Sequence, residues 1–204
     1  MQLPAVQLKY AAAFVLAGVF YSALPANADY YTDVRFDELQ SELGAGLANG
    51  AGVFVSQIEA ATQVGPDQAW TPDPALSQFS GKTLIDMSGA TTGIYSGHAN
   101  NVGRRFFGNS SSTSPGISKV FNYLADHWLG SGTLRTSSGG GPVYQPMPAN
   151  SRVGNHSWIG SLDTYNTDAL SRLDWLIATD ETIQTVGFTG SGANPLLSSA
   201  LPSP

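Results

Sequence analysis

The period of apolar and polar positions changes several times along the chain, and each change marks an expected element. Gly50-Ala51-Gly52-Val53-Phe54-Val55-Ser56-Gln57-Ile58-Glu59-Ala60 (GAGVFVSQIEA) is bounded by glycine, rich in β-branched and aromatic residues, and stops on a carboxylate. That pattern predicts a buried strand with Glu59 at its end. Upstream, Asp33 to Leu47 (DVRFDELQSELGAGL) sets Val34, Leu39, Leu43 and Leu47 at helical spacing, with acids early in the run. An amphipathic helix is expected there, weakened at its end by Gly44 and Gly46. Val64 to Ser80 carries prolines and no sustained period, which predicts a loop. Lys82 to Met87 (KTLIDM) is a second short apolar run, and His98 to Phe107 follows a glycine-rich turn as a short helix. Ile117 to Leu129 (ISKVFNYLADHWL) begins like a strand and continues like a helical face, so periodicity alone leaves its type open.

Ser131 to Gly154, rich in glycine and proline, predicts a long surface loop before Arg152 to Ile159 (RVGNHSWI) resumes a strand. Thr167 to Ile177 places Leu170, Leu173 and Ile177 on one helical face with Thr167 as a cap, and Thr182 to Phe188 is a further strand. Strands alternating with helical segments predict an α/β fold: a mostly parallel sheet with helices on both faces. Such sheets carry their reactive groups at the carboxyl ends of the strands, which is where Glu59 falls.

Composition changes this picture at the N-terminus and in the choice of partners. Tyr10 to Leu24 is an uncharged apolar run behind Lys9 and ahead of Ala26-Asn27-Ala28, the layout of a secretory signal peptide cleaved after Ala28. The run is shorter than the roughly 20 residues of a membrane span, so a secreted or periplasmic protein with no stable span is expected. Residues 1–28 contain one of the nine basic residues and no acid, so removing them leaves eight bases against fifteen acids, a balance of −7. Asp29 to Asn49 then forms a helical lead-in and residues 50–204 one domain. With no cysteine, an exported chain depends on a large apolar core. The thin scatter of basic residues argues against a phosphate-neutralising groove, and no nucleic acid is expected. The three histidines lack carboxylates at ligand spacing, and no H-E-x-x-H or phosphate-loop lysine occurs, so neither metal nor cofactor is expected.

The stretch Gly50, Gly52, Val53, Val55, Ile58, Glu59 resembles the first core strand of the subtilisin-like serine peptidases, G-x-G-V-x-V-A-V-I-D, with Glu59 at the position of the triad aspartate. Ser96-Gly97-His98-Ala99-Asn100-Asn101-Val102-Gly103 resembles that family's G-H-G-T-H-V-A-G helix start, with His98 at the triad histidine. Ser114-Pro115-Gly116-Ile117 looks like its A-P-x-A turn, and Val153 to Gly160 (VGNHSWIG) is similar to V-I-N-M-S-L-G, the strand that pairs with substrate backbone. Thr167 to Asn194 resembles the helix and strand leading to the oxyanion loop.

The resemblance implies an exported endopeptidase acting on peptide or protein substrates. His98 is then the base and Glu59 its orienting acid, Ser157, Trp158, Ile159 and Gly160 contact substrate, and Asn194 is the oxyanion donor if that loop is lengthened. Asp86, in Leu84-Ile85-Asp86-Met87-Ser88-Gly89, is the rival acid, although only twelve residues separate it from His98. No serine lies in the family's G-T-S-x-A context, so the expectation is an N-terminal portion that is inactive by itself. Ser110 to Ser112 and Ser137-Ser138 read as solvated turn residues. His127 reads as structural or surface, and His156 as a satisfied core histidine. A noncatalytic exported module, binding extended peptides along the VGNHSWIG edge, is the alternative. An unrelated α/β hydrolase would need a G-x-S-x-G elbow, which is missing.

Overall fold

The computed structural model describes residues 30–136, 145–158 and 166–187. The expected signal peptide, and Ile159, Gly160 and Asn194 among the expected site residues, lie outside them. The chain divides into two compact units, Met1–Leu47 and Ala48–Pro204. In the first, the expected single helix is two: α1 (Tyr30–Asp33) and α2 (Phe36–Leu43), separated at Arg35, whose φ of 56° interrupts the helical run. Val34, Leu39 and Leu43 are exposed.

The second unit is built on five parallel strands: β1 (Phe54–Glu59), β4 (Thr83–Asp86), β5 (Lys119–Leu124), β6 (Ser151–His156) and β7 (Ile183–Val186), in the order β4-β5-β1-β6-β7. The expected loop after β1 instead contains a small antiparallel hairpin, β2 (Thr62–Val64) and β3 (Asp67–Ala69), turning through Gly65 at φ 60°. A hairpin this short gives no readable period; its ladder and the turn glycine define it. Among the described residues of the unit its α-helices are α3 (Gly97–Phe106), α4 (Ala125–Gly130) and α5 (Asn166–Asp180). The segment left open by its period is both types in succession, β5 running directly into α4. Among the described residues no helix is long and apolar enough to cross a membrane.

Every residue of β1 from Val55 to Glu59 is buried, because β1 lies at the centre of the sheet and both faces are covered. Ile58 packs with Phe121, Tyr123, Trp128 and Leu129, and with Ala169 and Leu176 of α5. On the opposite face Val55 packs with Phe79, Phe107 and Val120, below α3. The core-facing side of α5 is rotated from the expected one: Ala169, Arg172 and Leu176 are buried, and Thr167 lies inside the helix instead of capping it. Arg172 is tolerated there because Asp168 and the carbonyls of Leu134 and Arg135 accept its hydrogen bonds.

The two faces also reveal the hand of the crossovers. From β4 to β5 the chain steps one place along the sheet, and from β6 to β7 one place in the same direction. Yet α3 covers the Gln57 face, its Ala99 carbonyl accepting from Gln57, while α5 covers the Ile58 face. Parallel strands joined in one direction over opposite faces have crossovers of opposite hand. One of the two is therefore left-handed, a connection found in roughly 2% of such units.

Candidate functional site

The first turn of α3 is fixed before any charged group acts. Ser96, fully buried, is its N-cap: the Ser96 hydroxyl accepts the Ala99 amide, and the Ser96 amide donates to the Thr71 carbonyl. Thr62 on the hairpin lies 2.9 Å from the same hydroxyl. His98 is thereby held in the first helical turn at the carboxyl rim of the sheet.

Glu59 meets it from below. Its Oε2 lies 2.8 Å from His98 Nδ1, and Gln57 Nε2 donates to its Oε1 over 2.8 Å. The carboxyl has no exposed surface, whereas about half of the His98 side chain is in solvent. Burial pushes the Glu59 carboxyl above the usual glutamate value, and the hydrogen bond from Gln57 and the charge and hydrogen bond of His98 offset part of that. With Glu59 ionised, Nδ1 donates to it and Nε2 is left as the acceptor on the far side of the ring. The extra methylene of glutamate does not prevent this contact.

An open cleft of about 460 Å³ starts at His98. One face of α3 (His98, Asn101, Val102, Arg105 and Phe106) forms one wall, and Asn155 near the end of β6 and Ser157 just after it form the other. Val153 and Asn155 in β6 and Ile183 and Thr185 in β7 share the sheet face of Gln57 by register. Ile183 and Thr185 are exposed. Among the described residues, α3 is the α-helix on this face, facing β6 across the cleft.

Comparison with protein-family models, with curated proteins and with solved structures gives no match for the chain. The site therefore rests on its own geometry.

Asp86 does not reach His98. Its carboxylate closes the turn after β4, accepting the amides of Ser88 and Ala90 and the Trp70 indole N–H. Ser157 lines the cleft and donates its amide to Ile58 O, whereas Trp158 turns inward, packs on the core and donates its indole N–H to His156 Nδ1. The expected free edge along VGNHSWIG is closed over residues 153–156, because β6 is paired to β1 on one side and to β7 on the other. His156 is buried and satisfied: it accepts from Trp158 at Nδ1, contacts Gln184 Oε1 through Nε2 at 2.9 Å, and burial lowers its pKa to about 4. His127 bonds to Ser88 Oγ, which also accepts the Leu124 amide and so ties the ends of β4 and β5 together.

Two contributions went unread in the sequence. The cleft wall of α3 lies at positions three, four, seven and eight after His98, a helical stripe that a periodicity count anchored on His98 would have marked. Gln57 is a long polar residue two positions before Glu59 in a buried strand, hence on the same face.

Proposed function

We propose that the chain is the exported N-terminal portion of a subtilisin-like serine endopeptidase that contributes the acid, Glu59, and the base, His98, while the nucleophile comes from further polypeptide. The observation that carries this reading is the Glu59–His98 hydrogen bond at the rim of a parallel sheet, with Nε2 left to accept a proton beside a cleft. In the proposed reaction a serine hydroxyl at Nε2 attacks the peptide carbonyl as its proton passes to His98. Glu59 stabilises the imidazolium, and the proton then goes to the leaving amine. Among the described residues no serine hydroxyl bonds to His98 Nε2. Among the described residues Ile183 and Thr185 of β7 are exposed on the face that bears the cleft, a surface against which a nucleophile-bearing segment could pack.

The test is to express the longest open frame that continues past Pro204 and assay hydrolysis of casein. Hydrolysis that requires the longer frame and is abolished by His98→Ala is the expected result, since losing one triad member costs orders of magnitude in rate. Hydrolysis by the purified 204-residue chain that survives His98→Ala would overturn the reading.

A noncatalytic peptide-binding module remains the second reading, relocated by the closed edges of β6. Among the described residues the open edge on that side is β7, with Ile183 exposed. Calorimetry with extended peptides would favour it if binding were indifferent to His98→Ala and lost when β7 is interrupted by Thr185→Pro.

A further inference from the structure

We propose that Gln57 is a positioning residue for the acid–base pair: its side-chain amide holds the second oxygen of Glu59 and fastens it to the backbone of the helix that carries His98. The inference rests on Glu59 and His98 forming the working pair, and it assigns a role to a residue that touches neither substrate nor the reacting nitrogen.

Three observations support it. Gln57 Nε2 donates both to Glu59 Oε1, over 2.8 Å, and to the carbonyl of Ala99, over 3.0 Å. Ala99 follows His98 directly, so one amide nitrogen ties the carboxylate in β1 to the turn of α3 that holds the imidazole. Both partners are acceptors, so the orientation of the amide is determined: turning it over would set its oxygen against two others. The second observation is what that orientation leaves behind. Gln57 Oε1 is buried and has no hydrogen-bond partner among the described residues, although Gln57 has no exposed surface. A buried orphan acceptor is destabilising, and an apolar side chain would avoid it. The glutamine is therefore poorly explained as core packing and well explained by what its nitrogen does. Third, α3 comes close enough for this contact because Gly103 has no side chain. A Cβ there would stand 3.2 Å from Gln57 Oε1 and nearer still to Phe79 and Phe107.

A carboxylate held on one oxygen only can rotate about its last bond. Held on both, it presents Oε2 to Nδ1 in one orientation, the kind of outer support that catalytic constellations need to keep their geometry.

The experiment uses Gln57→Met in the 204-residue chain, which keeps the length of the side chain and removes its amide. Two NMR signals report on it: the carboxyl carbon of Glu59 through a pH titration, and the ring Nδ1 proton of His98. Losing a donor that favours the charged carboxylate should move the Glu59 midpoint further up and broaden or abolish the Nδ1 proton signal. If Gln57 only fills space, the unfolding midpoint can change but both signals stay where they are, and that result would overturn the proposal. Should Gln57→Met fail to fold, the unsubstituted protein decides. The side-chain amide resonances of Gln57 should follow the Glu59 titration, and amide resonances indifferent to it would equally overturn the proposal. Failure of the peptidase reading is distinguishable, because it is seen as absent His98-dependent hydrolysis in the longer protein while these signals remain coupled.

Discussion

At the scale of the residue, Glu59 and His156 are both buried ionisable groups, and their burial bends the pH dependence of stability in opposite directions. The Glu59 carboxyl is held above its ordinary 4.5, chiefly by desolvation, so the folded chain keeps a proton that the unfolded chain has released. Its stabilising contribution is present below pH 4.5 and lost as pH rises through the raised midpoint. Glu59→Gln should remove this fall, measurable as a changed slope of urea-unfolding stability between acidic and neutral pH. His156 is lowered from 6.5 to about 4, so the unfolded chain takes up a proton first. Its contribution is complete above pH 6.5 and is lost as pH falls toward 4. At 1.36 kcal/mol per pH unit this amounts to about 3 kcal/mol, and His156→Gln should flatten that limb. An unchanged pH–stability curve in His156→Gln would refute the assignment.

Glu59→Gln makes a second, sharper prediction. Because Gln57 donates to the Oε1 position, the new amide nitrogen must occupy the Oε2 position opposite His98 Nδ1. Facing that donor, His98 Nδ1 becomes the acceptor, and the ring proton moves to Nε2, where a general base needs none. Nitrogen-15 NMR of the His98 ring should therefore show the opposite neutral tautomer. Retention of the Nδ1–H form would mean that Gln57 does not constrain the acid.

At the scale of the element, α3 delivers His98 through a cap and a close approach. Ser96→Ala removes the acceptor for the Ala99 amide and should cost about 1 kcal/mol. Gly103→Ala is a contest of two effects. Alanine favours the helix by about 1 kcal/mol, but its Cβ would lie 2.8 Å from Phe107 and 3.1 Å from Phe79, both fully buried rings. Overpacking of that kind costs about 1–3 kcal/mol. Sterics should win, so Gly103→Ala should lower the midpoint of denaturant unfolding and weaken the His98 Nδ1 proton signal as α3 lifts from the sheet. A stabilised variant with that signal intact would show that the rings yield.

At the scale of the whole molecule, the reversed hand of one crossover decides whether Glu59 and His98 meet. Glu59 points to the face of Gln57, opposite Ile58, and only a helix over that face can bring His98 to it. Had α3 crossed over the face that α5 covers, the same two residues would stand on opposite sides of the sheet. The same arrangement leaves Ile183 and Thr185 uncovered among the described residues, with β7 as a sheet edge. Edges that expose apolar side chains favour self-association. Ile183→Lys should therefore reduce concentration-dependent light scattering of the 204-residue chain without a large change in unfolding; scattering equal to that of the unsubstituted chain would place the sticky surface elsewhere.

What the sequence determined by itself was local. The glycine-bounded, β-branched run up to Glu59, the short apolar run ending at Asp86, and the alternation of strands with helical segments were legible because side-chain period and backbone propensity act over a few residues. The short hairpin after β1 and the break at Arg35 were not, since three-residue strands have too few positions to establish a period. Nor could spacing along the chain separate the two faces of the sheet, or show that β6 would be closed on both edges. The resemblance and the twelve-residue gap between Asp86 and His98 already favour Glu59, but bringing its carboxylate to the imidazole, recruiting Gln57 to hold it, and bringing α3 over that face depend on strand order and crossover hand. Those are relations between segments distant in sequence, and only the packing of the whole sheet decides them.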